Sequence, residues 1–211
     1  FGAAAAVGYI VGLSKGLAFR LIDSMGIIPR QEIINELKDM DQDSRALLRK
    51  HGVRFGQFNI FLPILLKPAV TRMRLVLWSL KRNFVEFPSA PTAGLVTINA
   101  NNNEADGYFI KAGYHFTGDW ALRIDMLERL ADLIRKENTR AGFEASSDML
   151  SITGMTNEQF SSLMAGLGYD VKKGELWQSD LHIRLTGTEA QLMRIFSKSV
   201  GRPISRAEIV S

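Results

Sequence analysis

The sequence predicts an α+β fold, mostly helical, with short strands and a possible helix-turn-helix or winged-helix-like subdomain. Three observations lead there. Apolar residues recur at helical spacing in several stretches, most clearly Ile124, Leu127, Leu130 and Ile134. Phe58, Ile60 and Leu62 alternate within residues 53–62, beside Gly52 and Gly56, as in a short strand or extended hairpin. Residues 146–169 place a short helix, a Gly154 turn, and a Thr156 cap with Gln159 three positions on before a second helix.

Residues 1–12 read as a helix or lead-in. Their Ala/Gly-rich stretch is similar to the apolar part of a signal peptide but has no basic leader, so a buried helix close to a neighbour is the favoured reading. The first residue is Phe, as expected for a piece of something longer. Residues 15–25 form a helix with Leu17, Leu21 and Ile22 on one face and Gly26 as its stop. Pro29 opens the next helix, facing inward through Ile33, Ile34 and Leu37. In the acidic run 38–43, Asp41 or Asp43 caps a helix over 44–51. Pro63 ends the strand that follows. Pro68 begins a helix reaching residue 82, because its missing N–H would be unpaired in a first turn anyway. Its apolar face is read as Met73, Val76, Leu77 and Leu80.

Residues 86–94 are a turn-rich linker with Pro88, Pro91 and Gly94, residues 95–98 a short strand, and residues 99–107 a polar loop. Residues 108–118 read as strand and turn, with Tyr108, Ile110, Tyr114 and Phe116 pointing inward. A helix spans 120–138, capped by Asp119, its charged side paired as Asp125–Arg129 and Asp132–Lys136 and facing solvent. After the helix-turn-helix unit, residues 169–177 form a hairpin, 182–185 a strand and 190–197 a short helix. The resulting parse is a helical region with a basic core segment (1–87), a linker with short strands (88–118), a helical subdomain (119–200) and a mobile basic tail (201–211).

The 211 residues suffice for one good domain or two small ones, and a pI near 9.4 permits an acidic partner such as nucleic acid. Without Cys there is no disulfide, thiolate metal site or thiol nucleophile, which fits a reducing, cytoplasmic setting. His51, His115 and His182 have no metal-ligand spacing. No apolar run reaches the length of a membrane span. No GxxxxGK[ST], GxGxxG, HExxH or GxSxG motif is present, and Asp39, Asp41 and Asp43 sit on a loop as caps rather than as an acid–base pair. No residue of the sequence is assigned a catalytic, metal-binding or cofactor-binding role.

The positive charge is concentrated. Residues 44–85 hold nine of the 26 Lys/Arg and no Asp or Glu, which leaves 17 basic against 22 acidic residues elsewhere. The segment is also very apolar, so it must bury one side and show the other. One reading is a core helix with a solvated basic side, its charges met by the acidic run 38–43. The other is a phosphate-facing surface, because like charges repel unless they have a use. On that reading Arg49, Lys50, Arg54, Lys67, Arg72 and Arg74 contact a nucleic-acid backbone, and Phe55 or Phe58 stacks on bases, the other reading of both rings being core residues. The second helix of the helix-turn-helix unit has no Lys or Arg and one Glu, so it is read as a contact module rather than a DNA reader. Association with a membrane surface is set aside, because Pro63, Pro68 and two Gly interrupt any single amphipathic helix.

The segment ALLRKHGVRFGQFNIFLPILLKPAVTRMRLVLWSL resembles a stretch found after the motor domains of alphaproteobacterial superfamily II DExH-box helicases, the enzymes similar to the RNA helicase of the mitochondrial degradosome. LAFRLIDSMGII, GYHFTGDWALRIDMLERLADLIRKE and DMLSITGMTNEQFSSLMAGLGYDV resemble the same C-terminal region, in the same order, over most of residues 15–173. The resemblance implies a parent ATP-dependent helicase whose motor domains, elsewhere in the parent chain, hold ATP and Mg. It implies for this region an accessory role in gripping single-stranded RNA or DNA. A protein-docking or structural region that binds no nucleic acid is the alternative.

Overall fold

The computed structural model describes residues 13–100, 104–139, 142–172 and 175–178. The predicted lead-in over 1–12, strand over 182–185, helix over 190–197 and basic tail lie outside these residues. The fold is α+β and mostly helical, with its strands in small antiparallel sheets.

Helix α1 (Leu13–Asp23) buries Leu17 and Leu21, while Ile22, expected on that face, is 43 % exposed. Strand β1 (Ile27–Pro29) follows, where the sequence suggested only a helix start. Pro29 ends this strand. A 3-10 turn (Arg30–Ile33) leads into α2 (Ile34–Asp39), which buries Leu37 and leaves Ile34 exposed. Helix α3 (Gln42–Lys50) is capped as expected, with the Asp41 carboxylate accepting from the Ser44 N–H at 2.8 Å.

The expected hairpin is β2 (Arg54–Phe55) and β3 (Asn59–Phe61). β3 is the middle strand of a three-stranded sheet, with Ile28 opposite Ile60 and Arg54 opposite Phe61. One face of this sheet closes over α1–α3 in a core of Leu17, Leu21, Ile33, Leu48, Val53 and Ile60.

Helix α4 (Pro68–Arg82) starts at Pro68 and stops at Asn83, a left-handed cap with φ 55°. Its burial reverses the expectation. Thr71, Arg74, Leu75, Trp78 and Ser79 face inward. Met73, Val76, Leu77 and Leu80 are 61, 39, 48 and 58 % exposed. The inward face meets Tyr108, Ala112 and Tyr114, with Trp78 edge-on to Phe84 at 5.0 Å.

Strand β4 (Thr97–Asn99) pairs with β6 (Trp120–Arg123), which also pairs with β5 (Tyr114–Phe116). Two sequence readings are corrected here. Residues 108–112 are a short helix, α5 (Tyr108–Ala112), rather than a strand, and Phe116 is 48 % exposed rather than inward. The long helix expected from residue 120 begins later. Residues 120–123 are drawn into the sheet as β6, so helix α6 is Ile124–Ile134, with Arg123 rather than Asp119 at its N-cap and no side-chain cap bond. The predicted apolar face of α6 is the buried one.

Helices α7 (Ser147–Thr153) and α8 (Asn157–Gly166) follow the predicted grammar. Gly154 turns at φ 66°, and Thr156 and Gln159 form a complete capping box. Strands β7 (Tyr169–Lys172) and β8 (Glu175–Gln178) form the hairpin after them. Phe160, Leu163 and Met164 of α8 join Leu127 and Leu130 of α6 in the second large core. Gly166 lies against the Thr117 backbone, where any Cβ would collide with the carbonyl. Among the described residues no helix is long and apolar enough to cross a membrane.

Candidate nucleic-acid interface

The hairpin β2–β3 and the first two turns of α6 face each other across a cleft of about 490 Å³. Buried Phe61 of β3 packs on Ile124 of α6, and the polar tie between the two is Glu128. Its carboxylate accepts the backbone N–H groups of Gln57, Phe58 (3.1 Å) and Asn59 (2.7 Å) and the Asn59 side-chain amide (3.2 Å). Three successive amides turned toward one point make an anion-binding concavity, here filled by a side chain of the protein itself. Gly56 allows it, because a Cβ there would overlap the carboxyl group. Burial raises the Glu128 pKa, and the four hydrogen bonds hold against that rise. Asn59 is fully buried and its side-chain oxygen lies 3.4 Å from His115 Nδ1. Burial lowers the His115 pKa, keeping the ring neutral to lower pH.

Around this junction the cleft is lined by Arg49, Arg54, Arg129 and Arg135, with Phe55 among them. The Arg49 guanidinium lies 5.4 Å from the centre of the Phe55 ring. Three acids share the wall, and each is engaged. Glu128 is committed to backbone amides, Asp125 pairs with Arg123 at 2.7 Å, and Asp132 pairs with Arg135 at 3.0 Å. Arg49, Arg54 and Arg129 have no carboxylate partner among the described residues. Such guanidiniums suit a phosphate chain, and a half-buried ring beside them suits a base.

The six cations nominated from sequence do not form one surface. Arg49 and Arg54 line the cleft, and exposed Lys50 is the last residue of α3 beside Arg49. Lys67 is exposed at the N-cap just before α4, and Arg72 is exposed on the helix, where it shares a small hollow with Arg123. Arg74 is a correction. It is 4 % exposed and donates to the carbonyls of Lys111 and Leu65 (3.1 Å), tying α4 to α5 and to the 3-10 turn Pro63–Leu66. Burial takes its pKa down to about 10. A group spent on interior carbonyls cannot reach a phosphate. Phe58 is half-buried with its ring 5.7 Å from His115, on the side of the second core.

Sequence reasoning missed Arg129 and Arg135. They lie on the charged side of α6, which the sequence pattern turns to solvent with its charges paired along the helix. The observed pairs are instead Arg123–Asp125 and Asp132–Arg135, which leaves Arg129 without an acid. Nor does any ion pair among the described residues join the acidic run 38–43 to the basic segment. No group of three or more His, Asp or Glu among the described residues converges as a metal site.

No family model and no solved structure matches the chain. Protein PetR of Rhodobacter capsulatus is 36 % identical to it over 101 residues, a stretch that makes up 44 % of this chain and 41 % of PetR. The likeness therefore spans less than half of that curated relative.

Proposed function

We propose that this chain is an accessory C-terminal region of an ATP-dependent superfamily II DExH-box helicase, and that it grips single-stranded RNA or DNA in the cleft between the β2–β3 hairpin and α6. The parent class rests on the resemblance of the four segments quoted above. The observation that carries the binding role is the set of three guanidiniums, Arg49, Arg54 and Arg129, left without carboxylates around Phe55. Phosphates take the guanidiniums, and one base stacks beside the ring, so binding is indifferent to sequence. Each phosphate contact releases condensed counterions, so affinity falls as salt rises. Motor domains elsewhere in the same parent chain supply ATP, Mg and the pull on the strand.

The test is a fluorescence-anisotropy titration of the whole chain with single-stranded RNA, single-stranded DNA and duplex at two salt concentrations. Single strands bind, more weakly at high salt, and Arg54→Glu with Arg129→Glu abolishes the signal. Affinity that is flat with salt, or untouched by the double reversal, sinks the reading. The exposed apolar face of α4 favours a second role, docking of a protein.

A further inference from the structure

A helix of 15 residues ordinarily turns its apolar stripe to the core. Helix α4 does the opposite. Met73, Val76, Leu77 and Leu80 stand at positions i, i+3, i+4 and i+7, so they form one ridge about 10 Å long. All four are between 39 and 61 % exposed. The opposite face is already committed, through Leu75 and Trp78 and through the two Arg74 hydrogen bonds, so the helix cannot roll to bury the ridge. A contiguous apolar ridge rimmed by polar groups marks an interaction surface.

The rim identifies the occupant. Arg72 borders the ridge on one side, beside Val76, and Lys81 on the other, beside Leu77. Both are exposed, as are Lys67 and Arg82 at the two ends, and α4 contains no acidic residue. Among the described residues the one acid paired with this rim is Asp23, on Lys81 at 3.6 Å, between two well-exposed side chains. Two copies of the ridge laid face to face would set these cations against one another, so self-association is opposed.

We infer that the Met73–Leu80 ridge of α4 is a docking surface for an amphipathic α-helix of a partner protein, with apolar residues at the same spacing and Asp or Glu along both edges. Ridges at four-residue spacing interdigitate with those of a second helix, and the acidic edges meet Arg72 and Lys81. This surface is separate from the arginine-lined cleft, and the inference stands whether or not the cleft takes up RNA.

The test uses the whole chain and two synthetic peptides, each with Leu at i, i+3, i+4 and i+7. One carries Glu on both flanks and its twin carries Lys. By fluorescence anisotropy the Glu peptide binds at least about tenfold more tightly than the Lys peptide, and the difference shrinks with salt. Leu77→Ser, at an exposed position that leaves the circular dichroism spectrum unchanged, removes the binding, and single-stranded RNA does not compete. Equal affinity for the twins, no binding of either, or binding that survives Leu77→Ser overturns the inference. So does a dimer in analytical ultracentrifugation that Leu77→Ser dissociates, since the ridge would then belong to a second copy.

Discussion

The Glu128 carboxylate meets the Asn59 backbone N–H at 2.7 Å, across 69 residues of sequence. That contact joins a hairpin from the first third of the chain to a helix from its second half. It also fixes the cleft wall between them, since Gln57 and Phe58 turn their amides to the same carboxylate. Removing the carboxylate leaves three backbone donors and the Asn59 amide to find other partners. Glu128→Ala therefore lowers unfolding free energy by about 3 kcal/mol in urea denaturation. Glu128→Gln, which keeps one acceptor oxygen, falls between this variant and the parent.

Gly56 and Glu128 are coupled. A methyl group at residue 56 occupies the space of the carboxyl group. Gly56→Ala alone is destabilising, but in the Glu128→Ala background the clash is gone. A double-mutant cycle returns a coupling energy of about 1–2 kcal/mol. Simple additivity would show that the hairpin shifts away from α6 at no cost.

Stability falls on the acid side through His115. Its pKa is lowered in the folded chain by burial, from an ordinary value of 6.5. Below pH 6.5 the unfolded chain takes up this proton while the folded one resists it, so stability declines until the folded pKa is reached. Glu128 has the opposite sign. Its raised pKa means the folded chain takes up a proton above the ordinary 4.5, which offsets part of the loss in more acid solution. His115→Gln flattens the decline just below pH 6.5, as read from urea midpoints across pH. An unchanged slope would assign the loss to other groups.

Leu75 and Leu77 separate the observed face of α4 from the one the sequence suggests. Leu75 is 2 % exposed and Leu77 is 48 % exposed. Leu75→Ala costs about 3 kcal/mol, whereas Leu77→Ala stays within about 0.5 kcal/mol. Thermal denaturation of the two variants side by side distinguishes them.

Arg74→Ala is a stability variant, not a binding variant. It leaves the carbonyls of Lys111 and Leu65 without their donor and costs about 2 kcal/mol. On the proposed reading, the folded fraction binds single-stranded RNA as tightly as the parent does. A loss of affinity at unchanged stability would place Arg74 at the surface after all.

What the sequence reveals about this molecule is what is decided over a few residues. The Asp41 cap bonds Ser44, three positions on, and the Thr156–Gln159 box closes over the same span, so both are legible. Strand β6 is not, because it forms only when Thr97–Asn99 and Tyr114–Phe116 come alongside, and its four residues merge into the helical pattern that follows. The inward face of α4 is hidden for another reason. Thr71, Arg74 and Ser79 look like solvent residues, and they lie buried beside Leu75 and Trp78. Of the candidate cleft, Arg49 and Arg54 stand out by local charge density. Arg129 joins them through tertiary contacts, Phe61 packing on Ile124 and Glu128, one residue earlier, docking on the hairpin.

During synthesis the hairpin leaves the ribosome well before the glutamate that closes it. At translation rates of about 5–20 residues per second, the roughly 70 residues between them take on the order of 4–14 s. For that interval the amides of residues 57–59 face water or whatever anion is near, and the arginines of β2 and α3 are present without α6. A nascent chain stalled before residue 124 is cut by protease within 54–61, and one stalled well past residue 134 resists. Equal resistance at both lengths would show that the hairpin closes without waiting for Glu128.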